Sequence, residues 1–521
     1  MMAAVRPLNS LLEGLVPVGS VDDRIDIADV GLDSRSISSG ALFLACRGRR
    51  THGLRGAAQA IARGAHAVAY EPDTDLDPSL LAQLQASTSV RFVAVPDLSR
   101  HASRIADRFF DAPSKSLHVA GITGTNGKTT TAWLVARALG VSGTRCAYFG
   151  TLGVGEPPAI VAGEYTTADA VTVQRQLAAV REGGASCVAM EVSSHALDQH
   201  RIDAVRLRVA AFTNLTRDHL DYHGTMEAYG AAKERLFTMA ELGACVINVD
   251  DDFGAQLAER HAGRANLWLI ARASQGAARA TALAGRHAGV QVLHAIEVVP
   301  TPRGQRLRLA NAADGSAFEV PLIGDFNAEN ALVALGILEA LGVERARAVS
   351  ALAQVAAPPG RMEVIGAPDR ALAIVDYAHT PDALAQALRA TRRHCRGRLR
   401  VVFGCGGGRD QGKRSLMGRV AAELADDVIV TDDNPREESP TAITAAIVAG
   451  MPHSNAARVV HDREAAIRLA LEESREGDVV LIAGKGHEQY QIEGDVRREF
   501  SDQRVVRAVL GVEGSHDGVL R

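Results

Sequence analysis

The sequence predicts an α/β protein that is divided into three domains and built mainly on parallel sheets. Its 521 residues exceed the size at which a single hydrophobic core stops growing, about 250–300 residues. Short apolar runs that end in Gly, Asn or Asp alternate with alanine-rich stretches that favour helices. This alternation is typical of strand–helix units whose parallel strands are buried on both faces.

Eight apolar runs are the main strand candidates, and two proline-containing breaks separate the domains. The strands are predicted at residues 117–123, 187–192, 209–214, 245–249, 372–376, 401–404, 427–431 and 479–483. The segment FFDAPSKS at 109–116 precedes the first of them, and AAPPGRME at 356–363 contains a Pro-Pro-Gly stop. Because Pro and Gly interrupt regular structure, we predict domains at 1–112, 113–357 and 358–521.

The composition excludes several classes of function. A net charge of −4 offers no basic field for nucleic acid. No apolar stretch approaches the ~18 residues that would span a membrane, and the N-terminal MMAAVRPLNSLLEGL lacks the long apolar region of a signal peptide. The six cysteines include no C-x-x-C pair, which fits reduced thiols. We therefore expect a cytoplasmic protein.

The segment LHVAGITGTNGKTTTAWLVARAL indicates a phosphate-binding loop between a strand and a helix. Glycines allow backbone N–H groups to turn toward phosphate oxygens, and the helix N-terminus adds its positive dipole end. Lys128 is placed to reach the β- and γ-phosphates, and the Thr129 hydroxyl to bind Mg²⁺. The strict G-x-x-x-x-G-K-[ST] pattern is not met, because Ile122 stands at its first glycine. The alternative is a glycine turn without a ligand.

The helix after this loop is predicted to bury one face. Ala132, Val135, Ala136 and Leu139 recur at helical spacing. Such a loop does not define the reaction, because kinases, transport ATPases and ligases all use one.

Carboxylate, imidazole and amine side chains follow in the central part of the chain. Glu191 ends a predicted strand, where open α/β sheets place their ligands. His219 and His223 lie in TNLTRDHLDYHG, and Lys233 lies in the predicted helix EAYGAAKERLF. Taken singly, each is more often an ordinary polar residue, and the missing H-E-x-x-H pattern disfavours zinc. Together, Glu191 and His219 favour Mg²⁺ beside a γ-phosphate.

Ordered motifs along nearly the whole chain resemble those of the Mur ligases of peptidoglycan synthesis. The motifs are GTNGKTT, MEVSSHAL, TNLTRDHLDYHG, YGAAKERLF, GDFNAENALVA, PPGRME, VDYAHTPDAL, FGCGGGRDQGKR, DDNPRE and AGKGHEQY. The resemblance implies an N-terminal UDP-binding domain, a central P-loop ATPase domain and a C-terminal Rossmann-like domain. It also implies that ATP activates the γ-carboxylate of UDP-N-acetylmuramoyl-L-alanyl-D-glutamate, as an acyl phosphate, for attack by meso-2,6-diaminopimelate. Relatives suggest a monomer, and the three domains are expected to close around the substrates.

The resemblance also carries over residues that would hold ATP and metal. The residues expected at ATP are Gly124, Thr125, Asn126, Gly127, Lys128, Thr129, Thr130, Asn327, Arg361, Asp376 and His379. Thr129 and Glu191 would serve one Mg²⁺, and His219 and Lys233 a second. In this family the lysine that matches Lys233 is carbamylated, which converts a cation into a carboxylate-like metal ligand.

For the UDP-linked dipeptide, the family pattern points to two groups of residues. They are Leu32, Ser34, Arg49, Arg50 and Thr51 in the N-terminal part, and Thr166, Thr167, Ser193, Gln199 and Arg201 in the central part. The chain departs from the family pattern in two places, with His52-Gly53 after the first loop and Ala168-Asp169 after the Thr-Thr pair. Both departures bear on the fine detail of the UDP-substrate contacts.

The C-terminal part carries the residues expected to choose the amino acid. They are Arg409, Asp433, Asn434, Pro435, Arg436, Gly484 and Glu488. The alternative for the Asn-Pro pair is an ordinary turn after a strand. Arg436 would hold the distal carboxylate of diaminopimelate by paired hydrogen bonds. Since a site built for a polar group can reject an analogue without it by roughly 10⁴-fold, lysine is expected to be a poor substrate.

Three other functions compete with this prediction. A sister ligase would add L-lysine to the same nucleotide or glutamate to folate; Arg436 argues against the first, and the N-terminal Asp33-Ser34-Arg35 against the second. A P-loop ATPase would hydrolyse ATP without needing an amino acid. A nucleotide-binding scaffold would have no need for Glu191, His219 and Lys233 as metal ligands.

Overall fold

The computed structural model describes residues 5–19, 24–48, 51–73, 76, 78–263, 266–310, 317–367, 369–452, 457–512 and 519–520. Strands and helices alternate along these residues, and the longest sheets are largely parallel. The predicted α/β class is confirmed. No helix among the described residues is long and apolar enough to cross a membrane.

The N-terminal region is a small parallel α/β unit. Its strands are β1 (Arg6–Pro7), β2 (Asp26–Ile27), β3 (Asp29–Gly31), β4 (Ala41–Ala45), β5 (Ala67–Tyr70) and β6 (Arg91–Ala94), and its helices are α1 (Leu8–Leu11), α2 (Ala57–Ala62), α3 (Pro78–Ser87) and α4 (Leu98–Phe109). Strands β3 to β6 form a parallel sheet in sequence order. Strand β4 is buried along its whole length, as expected of a strand that is covered on both faces.

The central region is built on a much larger sheet. Its strands are β7 (His118–Thr123), β8 (Cys146–Gly150), β9 (Gly153–Glu156), β10 (Ala159–Val161), β11 (Cys187–Glu191), β12 (Val209–Phe212), β13 (Ala244–Asn248), β14 (Leu267–Ala271), β15 (Val290–Thr301), β16 (Gly304–Leu309) and β17 (Ala317–Val320). Its helices are α5 (Lys128–Val141), α6 (Ala170–Glu182), α7 (Ser194–Asp198), α8 (Leu220–His223), α9 (Met226–Glu234), α10 (Asp252–His261), α11 (Ser274–Arg286), α12 (Asp325–Ala340) and α13 (Arg345–Leu352). The described strands lie in the order β17-β16-β15-β14-β13-β12-β7-β11-β8-β9-β10.

The middle of this sheet is parallel and its two flanks are antiparallel. Strand β7 lies between β11 and β12, with Glu191 paired to Ile122 and Phe212 paired to Thr123. The carboxyl ends of three strands therefore meet at one edge, which is where parallel sheets present ligand sites. At the β10 edge, strand β26 (Val519–Leu520) pairs in parallel with β10, so the end of the chain returns to the central sheet.

The C-terminal region is a second open α/β unit. Its strands are β18 (Glu363–Ile365), β19 (Leu372–Asp376), β20 (Leu399–Phe403), β21 (Asp427–Val430), β22 (Ala457–Val459), β23 (Val479–Ala483), β24 (Tyr490–Glu493) and β25 (Val496–Glu499), and its helices are α14 (Pro381–Arg392), α15 (Gly412–Leu424), α16 (Pro440–Val448), α17 (Arg463–Glu472) and α18 (Asp502–Leu510). The main sheet has the order β18-β19-β23-β20-β21-β22, in which β18 alone is antiparallel to its neighbour. Separate apolar clusters cover its two faces.

The eight predicted strands are all present, and two of them, β19 and β23, have the predicted bounds. Strand β12 ends two residues early, at Phe212, because Thr213 and Asn214 turn away to bond the neighbouring loop. The Thr213 hydroxyl donates to the Asn126 carbonyl at 2.6 Å, and the Asn214 carbonyl accepts from the Thr125 N–H at 2.8 Å.

The prediction for helix α5 was wrong in one respect. Its residues are buried on almost every side, not on one face, with Arg137 as an exception inside the buried stretch. The cause is its position between the sheet and helices α12 and α13, whose apolar residues join the same core. The periodicity was too weak to reveal this, because alanine and threonine are small enough to be buried in any direction.

Candidate active site

The phosphate loop lies between β7 and α5 and requires glycine at both of its bends. Gly124 has φ +149° and Gly127 has φ +85°, in the region that residues with a Cβ rarely adopt. A side chain on Gly127 would also collide with the amide of Asn330, and one on Gly124 with the hydroxyl of Thr213. The loop is therefore held tightly on two sides, with its backbone free to approach a ligand.

Lys128 is folded back over this loop. Its Nζ donates to the carbonyls of Gly124 at 2.9 Å and Thr125 at 2.7 Å. Burial lowers the pKa of Lys128, and the negative charge of Glu191 opposes that shift. A phosphate group in the loop would restore a strong anionic partner for this lysine.

Glu191 ends β11 with its side chain buried, and several donors point at its carboxylate. The Thr129 hydroxyl donates to Oε2 at 2.9 Å, and Thr151 donates through its N–H to Oε1 at 2.9 Å and through its hydroxyl to Oε2 at 3.2 Å. The Tyr148 hydroxyl donates to Oε1, and burial raises the pKa of Tyr148 well above its usual value. The site holds the carboxylate beside Thr129, as the predicted metal pair requires.

Lys233 lies on α9 and is buried, with 1% of its surface exposed. Its Nζ donates to the Gly124 carbonyl at 2.8 Å, the same oxygen that Lys128 contacts, and it stands 4.3 Å from the centre of the Tyr229 ring. Burial, and next the charge of Lys128, hold the pKa of Lys233 well below its usual value. A neutral amine is the nucleophilic form, which is the form that can add CO₂.

His219 also lies near Tyr229. Its ring is 6.1 Å from the Tyr229 ring and 4.8 Å from that of His195. Burial, together with the neighbouring His219 and His223, lowers the pKa of His195 to about 4. The backbone of His219 has φ +52°, so it precedes helix α8 instead of belonging to it. Tyr229 thus links the two residues predicted to share the second metal.

The central residues predicted for the UDP-linked dipeptide form one connected network on Glu191. The Thr167 hydroxyl donates to the Glu191 carbonyl at 2.9 Å and accepts from the Ser193 N–H at 3.0 Å. Arg201 donates to the Thr167 carbonyl at 2.7 Å and to the Gln199 amide oxygen at 2.7 Å. Thr166, 3.0 Å from the Thr151 hydroxyl, lines a pocket of about 210 Å³ beside Glu191.

The described N-terminal residues of the same prediction follow β3 and β4 in the chain. The Ser34 hydroxyl donates to Gln59 at 2.8 Å, Leu32 packs against the N-terminal core, and the Thr51 carbonyl accepts from Gly48 at 3.2 Å. Arg49 and Arg50 lie outside the described residues.

Both departures from the family pattern have structural roles. His52 caps a short 3₁₀-helix at Gly53–Gly56, accepting from the Leu54 N–H at 3.1 Å, and its other ring nitrogen is 2.9 Å from the Glu71 carbonyl. Asp169 caps helix α6 by accepting from two backbone N–H groups at 2.9 and 3.0 Å. Such caps stabilise a helix start by roughly 1 kcal/mol.

The outer residues predicted for ATP approach the loop from α12 and from the C-terminal region. Asn327 accepts at 3.0 Å from Asn330, the residue that abuts Gly127. Asp376 ends β19 and accepts from the N–H groups of Met362 and Ala378 at 2.8 and 2.9 Å. Burial raises the pKa of Asp376, and the charge of Arg361 opposes that shift.

Arg361 and His379 both lie against Tyr377, next to Asp376. The guanidinium of Arg361 stacks over the Tyr377 ring at 4.6 Å, and its positive charge also lowers the pKa of Lys128. His379 has its Nδ1 2.8 Å from the Tyr377 carbonyl. The C-terminal region therefore extends a cation toward the phosphate loop of the central region.

The residues predicted to bind the amino acid gather where β19, β20, β21 and β23 end. Arg436 donates to the Gly407 carbonyl at 2.7 Å. A Cβ atom added to Gly406 would lie 3.1 Å from Arg436 Nη1 and 3.8 Å from Arg409 Cγ. The two arginines thus flank one glycine, and Pro435 is buried immediately before Arg436.

The remaining residues of the same set, which include its two acidic side chains, lie in the segments that follow β21 and β23. The Asn434 amide donates to Glu488 Oε2 at 2.9 Å. The Gly484 N–H donates to the Asp376 carbonyl at 3.1 Å, and a side chain on Gly484 would begin 3.1 Å from Asp433. Gly484 therefore connects the Asp376 side of the site with the amino-acid side.

Three family descriptions match the chain in order. They are "Mur ligase family, catalytic domain" over residues 26–109, "Mur ligase middle domain" over 122–338, and "Mur ligase, glutamate ligase domain" over 360–486. The chain belongs to the Mur ligase family. Mur ligases are ATP-dependent enzymes that form amide bonds. Apart from Glu488, the site residues described above lie within the matched segments.

Named relatives match nearly the whole length of this Mur ligase. Two proteins called UDP-N-acetylmuramoyl-L-alanyl-D-glutamate–2,6-diaminopimelate ligase are similar to it. That of Alkalilimnicola ehrlichii is 45% identical over 97% of this chain and 99% of its own length. That of Pseudomonas aeruginosa is 43% identical over 94% and 96%.

Solved structures agree with this assignment. A structure with the same enzyme name is 33% identical, covers 97% of this chain and 98% of its own, and has a TM-score of 0.70. The UDP-N-acetylmuramoylalanyl-D-glutamyl-2,6-diaminopimelate–D-alanyl-D-alanyl ligase from Acinetobacter baumannii shares the fold, at 18% identity over 94% of this chain and 96% of its own, with a TM-score of 0.61.

The structure adds polar residues to the Mur ligase site that the sequence prediction missed. They are Tyr148 and Thr151 at Glu191, Tyr229 between His219 and Lys233, and Lys485 beside Glu488. Tyr148 gave no signal, because it stands in the apolar strand CAYFG. Lys485 did give one, since a lysine between two glycines directly after a buried strand is unusual.

Proposed function

We propose that this Mur ligase joins meso-2,6-diaminopimelate to UDP-N-acetylmuramoyl-L-alanyl-D-glutamate at the expense of ATP. The proposal rests chiefly on the relatives of that name, whose similarity of 43–45% extends over 94–97% of the chain. That span includes the C-terminal residues predicted to meet the incoming amino acid. Because the substrates are nucleotides and an amino acid, we propose that the enzyme acts in the cytosol. We also propose a monomer, as the resemblance to the family suggests.

The chemistry begins at the phosphate loop. A carboxylate oxygen of the dipeptide attacks the γ-phosphorus of ATP, the bond to ADP breaks, and an acyl phosphate forms. The amine of diaminopimelate then attacks the acyl carbon, inorganic phosphate leaves, and the amine gives up a proton as the amide forms. Lys128 and the loop N–H groups stabilise the charge that develops on the transferred phosphoryl group.

The residues around the loop fit a divalent cation with oxygen ligands. The Thr129 hydroxyl and Glu191 carboxylate are 2.9 Å apart, and such hard oxygen donors are what Mg²⁺ selects. When bound there, Mg²⁺ would supply positive charge at the phosphates. Lys233 fits as a ligand only after it has gained CO₂, because an ammonium group has no lone pair. Its burial and low pKa support that modification.

The C-terminal residues account for the choice of amino acid. Arg436, with Arg409 on the other side of Gly406, would hold the distal carboxylate of diaminopimelate. Glu488 and the Gly484 turn would receive the ammonium group of the same centre. Hydrogen bonds to charged groups stabilise by about 1.5–3 kcal/mol each. Lysine lacks the distal carboxylate and would leave the partly buried Arg436 without an anionic partner.

Phosphate release tests the proposal directly. The protein is supplied with ATP, Mg²⁺ and UDP-N-acetylmuramoyl-L-alanyl-D-glutamate, and meso-diaminopimelate is compared with L-lysine at equal concentration. We expect turnover with diaminopimelate and at least a hundred-fold lower kcat/KM with lysine, on the order of the loss of one or two charged hydrogen bonds. Turnover with lysine alone would indicate the sister ligase. Release that requires no amino acid would indicate an ATPase.

A further inference from the structure

Lys485 is a fully buried charged residue in the C-terminal region. It follows β23, stands between Gly484 and Gly486, and has 0% of its surface exposed. The two flanking glycines have φ values of +116° and +53°, a backbone path that turns the lysine inward. A buried ammonium group is tolerated only where acceptors surround it.

Three side chains surround the ammonium group of Lys485. Its Nζ lies 3.1 Å from Asn434 Oδ1, 3.1 Å from Glu488 Oε2 and 3.5 Å from Asp433 Oδ1. All three acceptors belong to the set predicted to bind the amino acid. Lys485 is therefore the centre on which two separate segments, the turn after β21 and the loop after β23, converge.

This lysine determines how the amide of Asn434 is turned. Asn434 Oδ1 accepts from Lys485 and from the Ile492 N–H at 3.0 Å. An amide oxygen that faces two donors leaves the NH₂ group facing the other way, and that group donates to Glu488 Oε2 at 2.9 Å.

The same contacts orient the Glu488 carboxylate. Among the described residues, its side-chain hydrogen bonds from Lys485 and Asn434 both fall on Oε2, which leaves Oε1 for a ligand. The net charge of the cluster also favours an ammonium ligand. Asp433 and Glu488 carry two negative charges and Lys485 one positive, so the cluster has a net charge of −1, and nearby Arg463 is already paired with Asp502 at 2.7 Å. A site with this balance suits one ammonium group.

We propose that Lys485 is a positioning residue that orients Glu488 and Asn434 to receive the ammonium group of the incoming amino acid. The inference rests on the proposed function, because the ligand is the diaminopimelate of that reaction. Lys485 touches no reacting atom. It acts by holding one carboxylate oxygen and one amide in place, and by keeping two neighbouring carboxylates from repelling each other.

The first test is Lys485→Met, which keeps the length of the side chain and removes its charge. We expect the KM for diaminopimelate to rise at least tenfold, while the KM values for ATP and the UDP-linked dipeptide, and kcat, change by less than about twofold, because the effect is confined to one ligand group. Lys115→Met, at an exposed lysine, is the control and should match the wild type. Equal losses for all three substrates would overturn the inference in favour of a structural role.

The second test compares Glu488→Gln with the double variant Glu488→Gln/Lys485→Met. The double variant restores the net charge of −1, so it is expected to fold even where Lys485→Met alone does not. Asn434 Oδ1 still accepts from the Ile492 N–H in both proteins. If Lys485 acts mainly through Glu488, both proteins should therefore have the same KM for diaminopimelate within about twofold. A further tenfold rise in the KM for diaminopimelate in the double variant would overturn the inference but leave the proposed function standing. Phosphate release by the wild type that does not depend on diaminopimelate would contradict the proposed function, and the inference with it.

Discussion

At the residue scale, Lys233 combines features that favour function over stability. Its amine is buried, shares the Gly124 carbonyl with a second lysine, and has a pKa held well below its usual value, first by burial. An unmodified lysine in this position opposes folding, since its proton must be lost or its charge desolvated. That conflict is understandable if the amine is needed as the acceptor of CO₂.

Lys233→Met should therefore abolish ligase turnover and stabilise the free protein. The depressed pKa gives the sign: between the pKa of folded Lys233 and the usual 10.5, the unfolded chain holds a proton that the folded protein lacks, so stability rises with pH through that window. The stability advantage of the variant should be larger at neutral pH than at alkaline pH, and it should narrow as the pH approaches 10.5. Melting temperatures of both proteins in CO₂-free buffer without nucleotide check this.

Lys233→Ala provides the complementary activity measurement. It should be inactive, while its circular dichroism spectrum matches that of the wild type, and short carboxylic acids should partly restore turnover by occupying the place of the carbamate. Full activity in either variant would contradict the role given to Lys233.

Arg436 is the residue on which amino-acid selection should depend most. Arg436→Ala should lower kcat/KM for diaminopimelate by about 100-fold, as the loss of one or two charged hydrogen bonds requires, and leave the small activity with lysine nearly unchanged. Arg436→Lys keeps the charge but loses the paired geometry, so an intermediate loss is expected. Competition between the two amino acids in one reaction measures the preference, and an unchanged ratio would refute this account of the turn after β21.

The sequence predicted the residues that lie in recognisable local motifs and missed the residues that hold them in place through tertiary contacts. Lys128 and Glu191 could be predicted because a glycine-rich loop and a carboxylate at a strand end are local patterns. Tyr148 could not, because its contact with Glu191 joins residues 43 positions apart and its strand reads as ordinary core. Supporting residues of this kind depend on strand order, which a single sequence does not display.

At the element scale, the phosphate loop depends on the exact path from β7 into α5. Gly127→Ala should strain the backbone by roughly 1–2 kcal/mol at its positive φ and press the new methyl group against Asn330. We expect the KM for ATP to rise at least tenfold. Gly140→Ala in the same helix is the matched control, because a methyl group there would meet nothing within 4 Å, and alanine favours a helix by about 0.5–1 kcal/mol.

Nucleotide titrations and thermal unfolding of the two glycine variants distinguish a loop defect from a helix defect. Gly140→Ala should bind ATP as the wild type does and melt at the same or a higher temperature. Normal ATP affinity in Gly127→Ala would show that the loop tolerates a side chain and would contradict its proposed close approach to phosphate.

Strands were predicted more faithfully than helix burial, for a physical reason. A strand buried on both faces must be apolar at every position, so runs such as VVLIA are visible in sequence. Helix α5 is also buried on nearly all sides, but more than half of its buried residues are alanine or threonine, whose small side chains carry little hydrophobic signal. Its partner α12 lies about 200 residues away in the chain, so only the tertiary structure reveals the packing.

At the scale of the whole molecule, the site is assembled from distant parts of the chain. Arg175 on α6 donates to the Val30 carbonyl at 2.8 Å, which joins the N-terminal and central regions. The central and C-terminal regions meet through the ion pair of Arg393 with Asp325 and through His394, whose Nδ1 is 3.0 Å from the Thr301 carbonyl. The substrates of the proposed reaction would each contact a different part of this assembly, so domain movement is expected to accompany turnover.

Arg361 offers the sharpest test that ATP is bound by two regions together. It stands at the start of the C-terminal region, yet its charge lowers the pKa of Lys128 in the phosphate loop, and its Nε is buried without a hydrogen-bond partner among the described residues.

Arg361→Gln should raise the KM for ATP about tenfold, the lower end of what one charged hydrogen bond provides, with little change in the KM for diaminopimelate. It should also reduce the rise in melting temperature that ATP produces. Arg389→Gln, at an exposed arginine on α14, is the control. If Arg361→Gln retains the full ATP-induced stabilisation, nucleotide binding belongs to the central region alone, and closure of the C-terminal region must then be driven by the other substrates.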